Sequence, residues 1–531
     1  MQRRGFLTFI VILLITIGLL PVLSMLLKSM MVNGHFSLES YAGLLTSRHQ
    51  WTLMQHSMVL SSLVTAATVL VGVPLGIILG KTDLPLRRFF TALFVIPLLI
   101  PSYILAVSWF DLLGNEGLLA QLGGVSITQT TTHLLFGLSG CVAVLLSIFL
   151  PIPMLLTMIF LRTINPGLEE AGRLVSGWPG VMKGISIPLI LPGIFLSAIL
   201  VFLLSFGEFS VPSFLRYDVF PVESFTQFSA FYNFKAATAA AVPLAVVTLI
   251  LLLAEARFLR ERTYQLRPST GLDRMMLVLL GRRRNGVFAL VAIVGFVVVI
   301  VPITVLVIQS SGVAAYTEAF NRAGDSLVRS ILYAVTGATL LTFIGFFTGY
   351  LIQTKALKFW RSVDSLTLFL FALPSTVIGI GLISLWNTTW TNFIYATPLI
   401  IILGYVAKYT VLTSRISVTQ LAQIPPSMEE AAQVAGAGWF RRIIFIIVPL
   451  ALRGLLAGWI VGYIFSLRDT GITMLVYPAG HETLPVRIFT LMANGSTQLI
   501  AALCMVMITA TLVPVGILWM TTVIMHEREI R

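Results

Sequence analysis

Charge is scarce in this chain: 10% of its 531 residues are Asp, Glu, Lys or Arg, against about 25% in soluble globular proteins. With 57% hydrophobic residues, that shortage excludes a soluble domain. Cysteine is nearly absent. Cys141 and Cys504 both sit in apolar runs, which excludes a disulfide framework and a thiolate metal site. The six histidines are scattered, and "HEREI" at His526 lacks the second histidine of a zinc-protease motif. No phosphate-binding loop is present, because "GIILGKT" at Gly76 is one residue short of the glycine spacing and ends an apolar run rather than following a strand. Lys81 is therefore read as a topology anchor at the membrane surface. No cofactor or metal site is predicted. The net charge of +13 gathers at the ends of apolar runs instead of forming an aromatic-interleaved basic surface, so nucleic acid is not expected as a partner.

What the chain has is long continuous apolar runs, such as "FLTFIVILLITIGLLPVLSMLL" and "GVFALVAIVGFVVVIVPITVLVI". These reach the roughly 20 residues that cross a hydrocarbon core as a helix, and they do not alternate as barrel strands would. The windows predict an all-α polytopic membrane protein of about 12 spans, with 89–113 and 365–387 each read as one span. Arg3 and Arg4 precede a long apolar stretch without an evident cleavage site, so the first span is expected to be retained. Lys and Arg concentrate in alternate loops, which puts both termini in the cytoplasm. The segment from 255 to 285 is densely basic and lies near the middle of the chain. It divides the sequence into a first six-helix domain, 1–262, a cytoplasmic linker, 263–285, and a second six-helix domain, 286–531. Arg282, Arg283 and Arg284 in it suit either anionic lipid headgroups or simple topology anchoring.

The two halves resemble each other. Gly72, Gly76, Pro101 and Ser102 match Gly345, Gly349, Pro374 and Ser375 at one offset of about 273 residues. Further along, "EEAGRLVSGWPG" at Glu169 matches "EEAAQVAGAGWF" at Glu429, Glu208 matches Asp469, and "PVESFT" matches "PVRIFT". An even number of spans per half makes the repeat parallel, with a pseudo-two-fold axis along the membrane normal. The glycines, spaced by four, place small residues on one face of a helix for close packing.

Each half carries a loop that reads as a short helix. Pro425 and Pro426 favour a helix start, Glu429 and Glu430 suit its positive end, and Gly436 breaks it. Glu430, Ala431, Ala432, Gly436, Ile446 and Pro449 fall at the spacing of the E-A-A loop of binding-protein-dependent ATP-driven importer permeases, with Val448 in place of Leu. The segment is similar to that loop. In the family the loop forms a coupling helix seated in a cleft of the ATPase subunit. The first-half copy keeps Glu169, Glu170 and Ala171 but has Gly172 for the second Ala and Ser176 at the glycine position, followed by Gly177, with Pro188 one residue early.

The six-plus-six layout resembles the fused permeases of the ferric-iron group. The resemblance implies an inner-membrane subunit with no enzymatic activity of its own, served by separate ATPase subunits, expected in two copies, and by a periplasmic binding protein. Ferric iron is the implied substrate; thiamine, polyamines and other small solutes are alternatives. Glu208 and Asp469, at matching span ends, are expected at the translocation path. The alternative is an interfacial acid paired with a neighbour such as Arg468. His481 and Glu482 are read as solvated loop residues. An ion-coupled secondary transporter is the rival class; it needs ionisable groups within spans, whereas most acids are expected in loops.

Overall fold

The computed structural model describes residues 2–32, 35–37, 39–115, 117–231, 234–258 and 277–530, of which 32, 39–40, 44–45, 121–128, 234, 256, 258 and 518–530 are described by their backbone alone. Most of the basic linker, from 259 to 276, lies outside the described residues.

Among the described residues sixteen helices carry the architecture. They are α1 (Gln2–Ser29), α2 (Arg48–Lys81), α3 (Arg87–Leu99), α4 (Ser102–Leu113), α5 (Leu138–Leu161), α6 (Pro166–Val175), α7 (Trp178–Phe206) and α8 (Lys235–Glu255) in the first half of the sequence. The second half has α9 (Gly281–Gln309), α10 (Val313–Thr354), α11 (Trp360–Ala372), α12 (Ser375–Trp386), α13 (Leu399–Leu421), α14 (Pro426–Val434), α15 (Trp439–Leu467) and α16 (Thr497–Ile517). Among the described residues ten of these are long and apolar enough to cross a membrane, and two bent pairs bring the number to as many as 12. The all-α polytopic architecture expected from hydropathy is what is found.

The bent pairs refine the span reading. Windows 89–113 and 365–387 are not straight helices: α3 and α4 meet at 100°, α11 and α12 at 106°. The repeated Pro101-Ser102 and Pro374-Ser375 are the cause. Pro101 and Pro374 stand just before α4 and α12 in an extended conformation, φ −54°, ψ 139° and φ −53°, ψ 142°. A proline bars the preceding residue from helical backbone and has no N–H to continue the ladder.

Four other prolines are absorbed without a break. Pro21, Pro188, Pro302 and Pro449 each follow a five-residue π-helical turn, at Ile15–Leu19, Met182–Ser186, Phe296–Ile300 and Ile443–Ile447. In every case the residue before the proline donates its N–H five residues back: Leu20 to Ile15, Ile187 to Met182, Val301 to Phe296, Val448 to Ile443. Widening the turn relieves the clash of the ring with the preceding carbonyls, so the span bends instead of ending. The device recurs at equivalent places in both halves.

The described chain packs as two compact units, 48–222 with 246–311, and 1–47 with 223–245 and 312–531. The first span of each sequence repeat therefore belongs to the unit built mainly from the other repeat. In the unit containing α2, α9 packs on α3 and α4, and Ser108 Oγ donates to Pro302 O at 2.6 Å. In the unit containing α10, α1 packs on α12, where a Cβ on Gly381 would meet Pro21 backbone at 3.1 Å.

Each unit has the same centre. α2 packs on α5 and α7, and α10 on α13 and α15. A Cβ on Gly76 would lie 2.5 Å from Met154 O, and one on Gly349 2.7 Å from Ser414 O. The glycine stripe is thus a backbone-to-backbone contact inside each unit. Further along these helices Ser57 Oγ accepts the Phe220 N–H at 2.8 Å, and Ser330 Oγ accepts that of Leu484 at 2.6 Å. These bonds fasten the start of the "PVESFT" and "PVRIFT" segments in the same way.

Candidate coupling loops and membrane acids

α6 begins where its sequence says it should. Asn165 Oδ1 accepts the Gly167 N–H at 2.9 Å and caps the helix, Pro166 occupies its first position, and Glu169 closes the first turn. The two glutamates of this turn part company. Glu170 and Ala171 are exposed, while Glu169 is fully buried at 0% exposure. Its carboxylate pairs with Lys81 Nζ at the end of α2 and accepts Ser186 Oγ at 2.9 Å. Lys81 is 1% exposed, which corrects its reading as a surface anchor. A charge of this kind is sequestered because its partner is present; removing either one leaves the other buried and unpaired, a loss of about 3–5 kcal/mol.

The departures of the first loop from the family pattern have local causes. A Cβ on Gly172 would meet Ile185 Cδ1 at 2.6 Å, so the second alanine is replaced by glycine where α6 lies against the π turn of α7. Ser176 is extended (φ −143°, ψ 156°), a conformation open to any residue, and Gly177 in turn precedes the start of α7. Leu174 and Val175, both 91% exposed, form an apolar end on α6.

The second loop reaches a similar shape by other contacts. α14 also starts on a proline, with Glu429 in the first turn and Glu430 and Ala431 exposed. Glu429 Oε1 accepts the Tyr350 hydroxyl of α10 at 2.9 Å and lies 3.5 Å from Arg442 Nε. Tyr350 in turn accepts Trp439 Nε1 at 3.3 Å, and Arg442 Nη1 donates to Ala437 O at 2.9 Å. α14 closes with a left-handed residue: Gly436 has φ +83°, its N–H bonds to Gln433 O, and that of Ala437 bonds to Ala432 O, both at 3.0 Å. This paired arrangement at a helix end needs a residue free of Cβ strain. Val434 is 89% exposed, again an apolar end. Pro188 and Pro449 follow the π turns that lead from the loops into α7 and α15.

Glu208 and Asp469 do not sit alike. Glu208 is half-buried; its Oε1 accepts Ser102 Oγ and the Ser210 N–H, both at 3.0 Å. Asp469, 4% exposed, accepts Tyr409 Oη at 2.7 Å, the Ile472 and Thr473 N–H groups at 3.1 and 3.0 Å, and Thr473 Oγ1 at 3.0 Å. It caps the short helix Thr473–Val476. Tyr333 Oη and His481 Nδ1 are 2.8 Å apart, and Glu482 pairs with Arg487 at 3.2 Å.

Several groups were not singled out from sequence. Lys408, within α13, donates to Ser375 Oγ at the start of α12, and Arg415 pairs with Asp364 of α11 at 2.8 Å. Asp111 is buried within α4 and its Oδ2 has no hydrogen-bond partner. The expectation that most acids lie in loops thus misses two buried ones within the spans, Asp111 of α4 and Asp364 of α11. An acid or base interrupting an apolar window was the available signal, and averaging over the window hid it.

Residues 72–264 match the family model described as the binding-protein-dependent transport system inner membrane component. The chain is 21% identical over 494 residues to the putative ferric transport system permease protein FbpB 1 of Haemophilus influenzae, covering 88% of this chain and 77% of that protein. It is 23% identical over 477 residues to the ferric transport system permease protein FbpB of Actinobacillus pleuropneumoniae, covering 86% and 69%. The spermidine/putrescine transport system permease protein PotC of Haemophilus influenzae matches at 27% over 201 residues, 37% of this chain and 76% of that protein. With helices long and apolar enough to cross a membrane in both halves, this chain is similar along most of its length to fused inner-membrane permeases of ferric transport systems, and over residues 72–264 to the binding-protein-dependent transport system inner membrane component.

Proposed function

We propose that this permease is the membrane subunit of an ATP-driven importer, with α6 and α14 as its two ATPase-docking helices. One observation carries the reading. Each unit presents a short helix with an exposed apolar end, and the first-turn glutamate of that helix is bound to the end of the unit's central span, Glu169 to Lys81 of α2 and Glu429 to Tyr350 of α10. Apolar ends on short polar loops suit a protein partner. The fastening lets a displacement of the loop move the span rather than bend the loop.

In this reading Glu169, Glu170, Ala171, Gly172, Gly177, Pro188, Glu429, Glu430, Ala431, Ala432, Gly436 and Pro449 form the coupling elements. The sequence divides functionally into six-span repeats, 1–262 and 286–531, joined by 263–285. The loops and both termini face the cytoplasm, a periplasmic binding protein delivers substrate on the other side, and two copies of a separate ATPase subunit hydrolyse ATP. Arg282–Arg284, exposed at the start of α9, anchor the topology on the cytoplasmic side, where anionic lipid headgroups are available to them. Glu208 and Asp469 flank the path, Glu208 being the more accessible.

Ferric iron is the substrate this reading favours, since the relatives matching most of the chain carry ferric transport names. A polyamine is the second reading, favoured by the match to a spermidine/putrescine permease over 37% of the chain. Uptake of radiolabelled ferric iron and of spermidine by cells expressing the complete transporter separates the two. Loss of ATPase co-purification and of uptake in Glu430→Ala with Gly436→Pro tests the coupling assignment; retention of both would overturn it.

A further inference from the structure

Lys81 joins three elements. Its ammonium holds Glu169 of α6 in a pair buried on both sides. Its main-chain carbonyl accepts the Val278 N–H at 2.8 Å, the Asp83 N–H donates to Val278 O at 3.3 Å, and Asp83 Oδ1 accepts the Leu280 N–H at 2.9 Å. Val278–Leu280 lead directly into α9, the swapped first span of the second repeat, which packs in this same unit. The end of α2 is therefore clipped both to the coupling helix and to the chain entering α9. Ser186 Oγ, in the π turn of α7, adds a further contact to Glu169.

A buried ion pair is a poor way to gain stability, because well-packed apolar side chains of similar volume do as well or better. What it gives instead is a directional contact that is costly to separate. In the second loop the contact to the central span is not a charge pair: Thr354 stands at the position matching Lys81, a tyrosine one turn earlier holds Glu429, and the cation beside Glu429, Arg442, belongs to α15.

We propose that Lys81 is the positioning residue of the first coupling joint, locking Glu169 to α2 and to the Val278–Leu280 segment so that movement of α6 is delivered to α2 and α9 together. The inference rests on the reading of α6 as an ATPase-docking helix. The joint lies beneath the docking face, since Glu170, Leu174 and Val175 remain exposed on the other side of the loop. Breaking it should spare docking and spoil transmission.

The test uses the complete transporter, with its ATPase and binding protein, in proteoliposomes, reading ATPase co-purification and the ratio of ATP hydrolysed to radiolabelled ferric iron imported. Lys81→Met is expected to keep the ATPase while this ratio rises about tenfold or more, because the unpaired Glu169 abandons its site. The exchange Lys81→Glu with Glu169→Lys is expected to return the ratio to within about threefold of the parent, since the pair and the Ser186 contact are re-formed with roles reversed. The apolar pair Lys81→Met with Glu169→Leu is expected to fold with normal thermal stability and stay poorly coupled. A normal ratio in Lys81→Met, or in the apolar pair, would overturn the joint. Leu174→Asp with Val175→Asp keeps the two ideas apart. If that variant retains the ATPase, the docking reading itself fails; if it loses the ATPase while Lys81→Met couples normally, only the joint fails.

Discussion

The Tyr350 hydroxyl donates to Glu429 Oε1 at 2.9 Å, which makes a neutral phenol the counterpart of the lysine that holds Glu169. Arg442 Nε stands 3.5 Å from the same oxygen, so Glu429 keeps a cationic neighbour when the phenol is removed. Tyr350→Phe should therefore weaken the second loop without collapsing it. A hydrogen bond to a charged group contributes about 1.5–3 kcal/mol, and Glu429 is partly open to solvent, so the lower end applies. The expected outcome is an ATPase affinity reduced by about tenfold, measured by titrating the ATPase onto the detergent-solubilised permease. An unchanged affinity would mean that Arg442 alone orients α14.

Gly436 and Ser176 occupy the same place in the motif but should differ in their sensitivity to substitution. Gly436→Ala forces a Cβ into the left-handed region at φ +83° and should destabilise the end of α14 by about 1–2 kcal/mol. Ser176→Gly, at an extended residue, should shift stability by no more than about 0.5 kcal/mol. Thermal unfolding followed by tryptophan fluorescence, with ATPase co-purification alongside, gives both readings. Equal losses in the two variants would argue against a left-handed cap.

Restoring the family's alanine at Gly172 should harm rather than help. Its Cβ would come within 2.6 Å of Ile185 Cδ1, the far end of a half-buried side chain that must shift, at a cost of about 1 kcal/mol. Ile185→Val removes the offending methyl, so the double variant should recover most of the loss. A double-mutant cycle on thermal stability with no coupling between the two sites would refute the contact.

Asp469 and Glu208 share a sequence position but not a set of contacts. Asp469→Ala strips four donors of their acceptor and should lower stability by at least about 3 kcal/mol, since buried unmet donors cost about 1–3 kcal/mol each. Glu208→Ala leaves two donors at a half-buried site and should cost about 1 kcal/mol while reducing uptake more than it reduces expression. Expression level, melting temperature and uptake measured side by side decide this. Normal uptake in Glu208→Ala would remove it from the path.

Much of this protein is legible in its sequence because membrane insertion is governed by sums taken along the chain. Twenty apolar residues must form a helix wherever they stand in lipid, since no other partner exists for their backbone groups. The helix starts at Pro166 and Pro426 are likewise local, set by a proline, a first-turn acid and, at Asn165, a side-chain cap. The repeated Pro101-Ser102 and Pro374-Ser375 stood in plain view, yet a hydropathy average has no sense of direction and ran straight through both bends.

Tertiary structure alone decided which charges went inside. Lys81 ends an apolar helix, where a lysine ordinarily marks the membrane surface; here it is buried because Glu169, 88 residues away, meets it. Glu169 and Glu170 are indistinguishable as neighbours in a motif, and only the rotation of α6 against α2 separates the buried one from the exposed one. The exchange of first spans, α1 into the unit of α10 and α9 into that of α2, is equally invisible to sequence. An apolar helix surface fits many others, and its partner is fixed by shape, by the close approach of Gly381 to Pro21 and of Ser108 to Pro302, rather than by the order of residues along the chain.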